Sequence, residues 1–319
     1  VSMRTCDVFT ERSGVKAANA IPGWLTVSEE VRAALGPGRP VVALESTLIA
    51  HGLPWPTNLE TARESEDAVR AGGAVPATIA VLNGVPTVGL SGPQLETLAQ
   101  TPGVRKASRR DLGAAVALRQ AAATTVSATM ALAHAAGVRV FATGGLGGAH
   151  RGDEPFDISA DLAELARTPV LVVCAGAKSL LHLPRTLELL ETLGVPVVGY
   201  RTDAFPTFYV RDHAPPLPVS ARVESPSEAA ELFRAHVRMG GAGVVLAQPC
   251  PADVAVPPRE FMEWLGEAEK AARVLGISGA EVTPFLLAQI AEWSGGRTLT
   301  ANRALIVANA RLAAEVAAG

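Results

Sequence analysis

Several short stretches of this sequence place polar groups where packing has no need of them. Glu45 directly follows the β-branched run Pro40–Leu44 (PVVAL) and precedes STLIAHG. A carboxylate at the end of a buried strand is costly unless it is paired or used. In open α/β sheets the carboxyl ends of strands are also where ligands sit. A structural salt bridge would account for the same residue. Lys178 stands four residues beyond the apolar run Val170–Cys174, after Ala175–Gly176–Ala177. An amine held in an apolar mouth can attack a carbonyl as the free base. The alternative is a lysine stem lying along the surface with its ammonium in water.

The third stretch is Thr143–Asp153 (TGGLGGAHRGD), with four glycines before His150 and Arg151. Glycine lets backbone N–H groups approach an anion closely. The pattern is neither a Walker sequence nor GxGxxG, so the reading is a phosphate cradle without a nucleotide-fold label. In the fourth, Asp157–Ile158–Ser159–Ala160–Asp161, Ser159 would cap a helix from Ala160 and Asp161 would suit its positive end. Asp157 is left over, and one carboxylate plus waters is how Mg²⁺ or Mn²⁺ often binds beside a phosphate. In the basic patch Arg105, Lys106, Arg109 and Arg110, Lys106 could reach a phosphate while the rest form a solvated, structural face.

The elements that must position these groups alternate. Strands are expected at Ala77–Leu82 and Thr87–Leu90, joined by the hairpin signal Asn83–Gly84. A helix opens near Asn58, its expected N-cap. After the basic turn KASRRD come helices over Leu112–Ala122 and Val126–Ala136, then a strand over Val138–Ala142. Helix Ala160–Ala166, strand Val170–Cys174, helix Pro184–Leu193, strand Val195–Gly199, helix Ser227–Met239 and strand Val244–Ala247 follow. The tail reads as helices over Pro258–Leu275, Thr283–Ser294 and Ala301–Ala318. Such alternation implies an α/β fold, a mixed and mostly parallel sheet with helices on both faces. No linker divides it: residues 1–35 read as an N-terminal extension and 36–319 as a single domain.

Composition narrows the function class. The 319 residues are 48% hydrophobic and 18% charged, with 28 basic against 31 acidic side chains. Disorder requires the opposite balance, and a polyanion binder usually carries a basic excess, so no nucleic-acid partner is expected. No apolar run reaches the ~18–20 residues of a membrane span. Cys6, Cys174 and Cys250 lack metal-site or disulfide spacing, which suits a reducing cytoplasm. The first residues, VSMRTCDVFTERSG, have no secretion-type apolar core and read as an arm of low order.

Taken together and in order, PVVALESTLIAHGLPWPTN, GAVPATIAVLNG, ATTVSATM, FATGGLGGAHRG, FDISADL, VVCAGAKSLL, GVPVVGYRTDAFPTFY and VTPFLLAQIAEWSGG resemble the pseudouridine-5′-phosphate glycosidase family, also called the indigoidine-synthase-A-like family. The matches run from about residue 41 to the C-terminus. The resemblance implies a three-layer α/β/α fold, a homotrimer, and an enzyme that breaks or forms the C–C glycosidic bond of pseudouridine 5′-phosphate.

Position by position, the resemblance makes Lys178 the nucleophile, forming an imine with C1 of ring-opened ribose 5-phosphate. Glu45 becomes the acid that exchanges a proton with the base carbon, and Asp157 the ligand of a divalent metal, usually Mn²⁺. Ser159, Ala160 and Asp161 become substrate contacts, with Asp161 assisting ring opening. Lys106 and the backbone at Val126 are further contacts, while Thr143, His150 and Asn302 complete the pocket. The chemistry needs such groups: a C-glycoside has no oxygen leaving group to protonate, so an iminium must act as the electron sink. Three features depart from the family pattern: HRGDEPFD is one residue short, QPCPAD replaces an NPIP-type segment, and the N-terminus is long. They leave the sugar half of the site intact and the acceptor open, either uracil or an aromatic polyketide as in the family's natural-product C-glycosynthases.

Overall fold

Alternate residues of one strand divide the molecule into layers. In the computed structural model, Val41 and Ala43 enter one apolar core while Val42 and Leu44 enter another on the opposite face. That is the pattern of a strand covered on both sides. The structure describes residues 21–152, 156–211, 215–277 and 282–319.

The chain begins with β1 (Thr26–Val27), α1 (Glu29–Leu35) and β2 (Val41–Leu44), then a π-helical turn at Leu48–Gly52. Next come α2 (Thr57–Ala71), β3 (Val75–Leu82), β4 (Val85–Val88) and α3 (Gly92–Gln100). β5 (Arg105–Ala107), α4 (Leu112–Ala117), β6 (Ala122–Thr124), α5 (Val126–Ala136) and β7 (Val140–Ala142) form the middle. α6 (Ala160–Leu165), β8 (Leu171–Cys174), α7 (Leu183–Thr192), β9 (Val197–Tyr200) and β10 (Ala221–Val223) lead to α8 (Pro226–Arg238) and β11 (Val244–Ala247). Three helices end the chain: α9 (Pro258–Val274), α10 (Val282–Trp293) and α11 (Arg297–Ala318).

The strand order is β1-β4-β3-β2-β7-β8-β11-β9-β10, with β6 also on β3 and β5 on β6. Among the described residues, every pairing between these strands is parallel except β3 with β4 and β3 with β6. Residues of α2, α8 and α11 share one core with the sheet; α1, α5, α6, α7, α9 and α10 contribute to the other. The three-layer arrangement is therefore as the sequence implies. From β2 the chain moves to β3 on one side and later resumes at β7 on the other, so β2/β7 is a topological switch point, where α/β sheets open a crevice.

β3 also outruns its neighbour. Leu44 pairs with Thr78, which leaves Ile79–Leu82 beyond the end of β2. On this overhang β4 returns through Asn83 (φ 51°) and Gly84 (φ 82°), both in the left-handed region that a tight hairpin demands. β6 pairs there too and carries β5. The overhang forms a wall beside the carboxyl ends of the central strands.

Several expectations need correction. Residues 26–35 are no extension: β1 pairs with β4, and Val31 and Ala34 of α1 are fully buried in the core. The boundary at residue 36 thus falls inside packed structure, and the proposed arm at residues 1–20 lies outside the described residues. The helix expected over Leu112–Ala122 stops at Ala117, because Ala122–Thr124 is claimed by the β3 overhang. The basic turn contains β5. Asn58 does not cap α2; it is buried within the helix, its amide donating to the carbonyls of Ile49 (2.8 Å) and Ala99 (3.1 Å). Those carbonyls belong to the π-helical turn and to α3, and need a donor more than the helix needs a cap.

Candidate active site

Glu45 is the first residue after β2, Thr143 the first after β7, and Lys178 follows β8 by four positions. Leu44 pairs with Ala142 and Ala142 with Val173, so the three groups leave neighbouring parallel strands at one end. Beyond the strands the two loops keep a parallel course. Ala175 N donates to Gly144 O (2.9 Å), Leu146 N to Gly176 O (2.9 Å) and Lys178 N to Leu146 O (3.1 Å). Gly176 makes the turn into Lys178 possible: its φ is +81°, and a Cβ there would overlap the Pro206 carbonyl oxygen.

Four charged side chains converge on this opening. The charges of Lys178, Asp161 and Lys106 all act on Glu45, and those of Lys178, Glu45 and Asp161 act on Lys106. Glu45 is half-buried, and the Thr143 hydroxyl donates to its carboxylate. Burial pushes its pKa up, against the downward pull of Lys178, the Thr143 hydrogen bond and Lys106; Asp161 adds to the rise. Partial loss of water around the ammonium and the Lys178 charge push Lys106 down, against the pull of Glu45 and Asp161. Lys106 lies on β5, paired with Ala123 of β6, and sits exposed on the overhang wall. Its basic neighbours are structural as expected: Arg105 pairs with Asp111 at 3.0 Å, and Arg109 with the fully buried Glu164 at 2.8 Å.

Asp161 is only 6% exposed, and both its oxygens already accept backbone hydrogen bonds. One comes from Ser127 N (3.0 Å) in the first turn of α5, the other from Gly147 N (2.9 Å) in the glycine loop. Ser159 caps α6 as expected, accepting from Asp161 N at 3.2 Å, and Ala160 is the exposed first residue of that helix. Val126 is buried at the start of α5, whose opening N–H groups lack partners within the helix. Asn302 lies on α11, its Oδ1 buried without a hydrogen-bond partner among the described residues.

The glycines of the loop also serve packing. At Gly144, Gly145, Gly147 and Gly148 a Cβ would press on Ile306, Phe208, Ser159 and Thr186 respectively. The absence of a Cβ at these positions lets the loop pack against the protein. His150 sits farther along, its Nδ1 3.0 Å from Asp157 Oδ1, and the Asp157 side chain is 54% exposed. One carboxylate completed by water is the donor set of Mg²⁺ or Mn²⁺, unlike a closed zinc site. Among the described residues, no three His, Cys, Asp or Glu side chains gather as a metal cluster.

The matched family model, indigoidine synthase A like protein, covers residues 30–319. The chain belongs to this family. The pseudouridine-5′-phosphate glycosidase of Solibacter usitatus (strain Ellin6076) is 53% identical over 295 residues, 92% of this chain and 98% of its own length. That of Sorangium cellulosum (strain So ce56) is 51% identical over 300 residues, 93% and 94% of the two chains. Among solved structures, the prealnumycin C-glycosynthase AlnA in complex with ribulose 5-phosphate matches with a TM-score of 0.85 at 42% identity, covering 92% of this chain and 96% of that one. An indigoidine synthase A-like protein from Thermotoga maritima MSB8 matches at 0.82 and 35% over the same shares.

Within this family framework, two positions were not singled out from sequence. His51 stands on the π-helical turn just after Glu45, its pKa pushed down by partial loss of water around the ring and by Lys106, against a hydrogen bond with the Val104 backbone. Its place inside the quoted STLIAHG stretch was the available signal. The other is Asn309, buried on α11 against the Thr143–Gly144 backbone. Cys174 is fully buried with its thiol pushed up to about 12, which makes it inert packing.

Proposed function

We propose that this protein is a C-glycosidase of the pseudouridine-5′-phosphate type, acting reversibly between C1 of ribose 5-phosphate and a ring carbon. The observation that carries the reading is the convergence of Glu45, Lys178, Asp161 and Lys106 at the β2/β7 switch point, in a chain half-identical to glycosidases over nearly its full length. Uracil is the favoured acceptor on that identity. The second reading, an aromatic polyketide acceptor, is favoured by the likeness to the prealnumycin C-glycosynthase.

In this reading the Lys178 amine displaces the ring oxygen at C1, and Asp161 relays the proton that the nitrogen sheds to that oxygen, leaving a neutral secondary amine. The nitrogen lone pair then forms C=N⁺ while the C–C bonding pair moves to the ring carbon, which takes the Glu45 proton. Water hydrolyses the iminium, releasing ribose 5-phosphate and restoring the amine. A Glu45 whose pKa is raised keeps its proton where ordinary carboxylates have lost theirs, as a general acid must. Lys106 and the first turn of α5 at Val126 hold the phosphate end, Ser159 and Ala160 supply further contacts, and Thr143, His150 and Asn302 complete the pocket. Asp157, with waters, would hold a divalent metal such as Mn²⁺, which would supply positive charge for an anionic substrate. The enzyme works in the cytoplasm as a homotrimer, a particle three times the 32.9 kDa chain. No helix among the described residues is long and apolar enough to cross a membrane.

Incubation with pseudouridine 5′-phosphate and Mn²⁺ should release uracil, and ribose 5-phosphate with borohydride should leave a pentose adduct on the Lys178 peptide. Neither uracil release nor an adduct would end the reading; an adduct with turnover only of an aromatic acceptor would transfer it to the second.

A further inference from the structure

We propose that Asn309 is a positioning residue for the reaction, its amide holding the Thr143–Gly144 backbone so that the Thr143 hydroxyl stays on Glu45. The proposal rests on the functional reading above. Asn309 is 1% exposed on α11, and its Nδ2 donates to Thr143 O at 2.8 Å and to Gly144 O at 3.4 Å. Its Oδ1 is buried and has no partner among the described residues. A buried acceptor left unpaired is costly, so an apolar side chain would fill this position more cheaply unless the amide's donor end were needed.

The place it donates to joins both halves of the site. Thr143 hydrogen-bonds Glu45 through its side chain, while Gly144 O also accepts from Ala175 N (2.9 Å), at the start of the turn to Lys178. Ile306, one turn before Asn309 on the same helix, packs on Gly144. α11 thus holds the segment linking acid and amine by one polar and one apolar contact, while the groups whose charges act on Glu45 (Lys178, Asp161 and Lys106) approach from other elements.

The test uses the full chain with Asn309→Leu, which removes the donor, Asn309→Asp, which turns an oxygen toward two carbonyl oxygens, and Asn309→Ser, which makes the least packing demand. Turnover of pseudouridine 5′-phosphate should fall in kcat by about tenfold or more, with KM within about threefold. The Glu45 carboxyl, followed by ¹³C NMR titration, should move up in the neutral variants because the Thr143 hydroxyl no longer steadies the carboxylate. Thr143→Val should reproduce that movement, and adding Asn309→Leu to it should change kcat by less than about twofold. Folded variants with unchanged kcat and Glu45 titration, or effects that multiply in the double variant, would overturn the proposal. If the wild type turns over no pseudouridine 5′-phosphate, the functional reading fails, and the Glu45 titration still decides the role of Asn309.

Discussion

Replacing Asp161 with asparagine separates two roles that one carboxylate could fill. Its two oxygens accept from Ser127 N at 3.0 Å and Gly147 N at 2.9 Å, within a side chain 6% exposed. Hydrogen bonds to a charged group contribute about 1.5–3 kcal/mol each. In Asp161→Asn one of the two N–H groups faces an amide nitrogen, and the surviving bond is no longer charge-assisted. The expected loss is therefore about 3 kcal/mol, equivalent to roughly 6 °C in Tm at the lower end of the per-kcal shifts found for sizeable domains. Calorimetry measures the stability, and titration with ribose 5-phosphate measures the site. Separation of α5 from the glycine loop should weaken sugar-phosphate affinity along with Tm. A variant with wild-type Tm and affinity but collapsed kcat would refute the reasoning, showing that the carboxylate serves proton transfer and ties nothing together.

Two other substitutions probe the acid and the turn. Glu45→Gln should cost about 10²–10⁴ in kcat, the usual worth of a general acid. Because its pKa is raised in the folded protein, ionisation of Glu45 disfavours folding as pH rises above the ordinary carboxylate range. The Tm difference between Glu45→Gln and wild type should therefore grow in the variant's favour from pH 4 to 8 when scanned by calorimetry, and a constant difference would contradict the raised pKa. Gly176→Ala combines left-handed strain with collision against the Pro206 carbonyl; a loss of about 3 kcal/mol or more, or insoluble protein, is expected in denaturant titration. A loss below about 1 kcal/mol would show that the turn into Lys178 yields easily.

Glu45 and Lys178 were legible because each breaks the pattern of an apolar strand end, and a charge there needs a reason whatever the fold. The central strands were legible for the same physical cause, continuous β-branched runs buried on both faces. β5 and β6 were not: RKA and AAT carry little strand preference and owe their conformation to the overhang of β3, a long-range pairing no local window contains. The same limit explains Asn58 and Asn309. An asparagine in a helix reads as a cap or a solvent-facing residue, while here each is committed to carbonyls distant in sequence. The close packing of the glycine loop was not legible, since packing and anion binding both favour the absence of a Cβ, and only the folded neighbours reveal the packing.

The opposing forces on Glu45 bear on how a single carboxyl can serve both directions of the proposed reaction. Burial alone would keep it protonated, fit to give a proton and unable to take one back. Lys178 and the Thr143 hydroxyl alone would keep it ionised. Held between these, its state follows the charge on the neighbouring nitrogen. When the Lys178 amine is neutral and bonded to C1, the pull toward ionisation is removed and Glu45 holds its proton. As the C–C bond breaks and positive charge appears on that nitrogen, the pull returns, and the carboxyl releases its proton to the ring carbon that has just gained an electron pair. In the synthetic direction, carbon attack on the iminium discharges the nitrogen at the moment Glu45 must collect the proton. In the proposed reaction, proton transfer would thus be timed by electrostatics between two groups that follow β2 and β8, the strands on either side of β7, and their placement at the same end of the sheet would give both directions one mechanism.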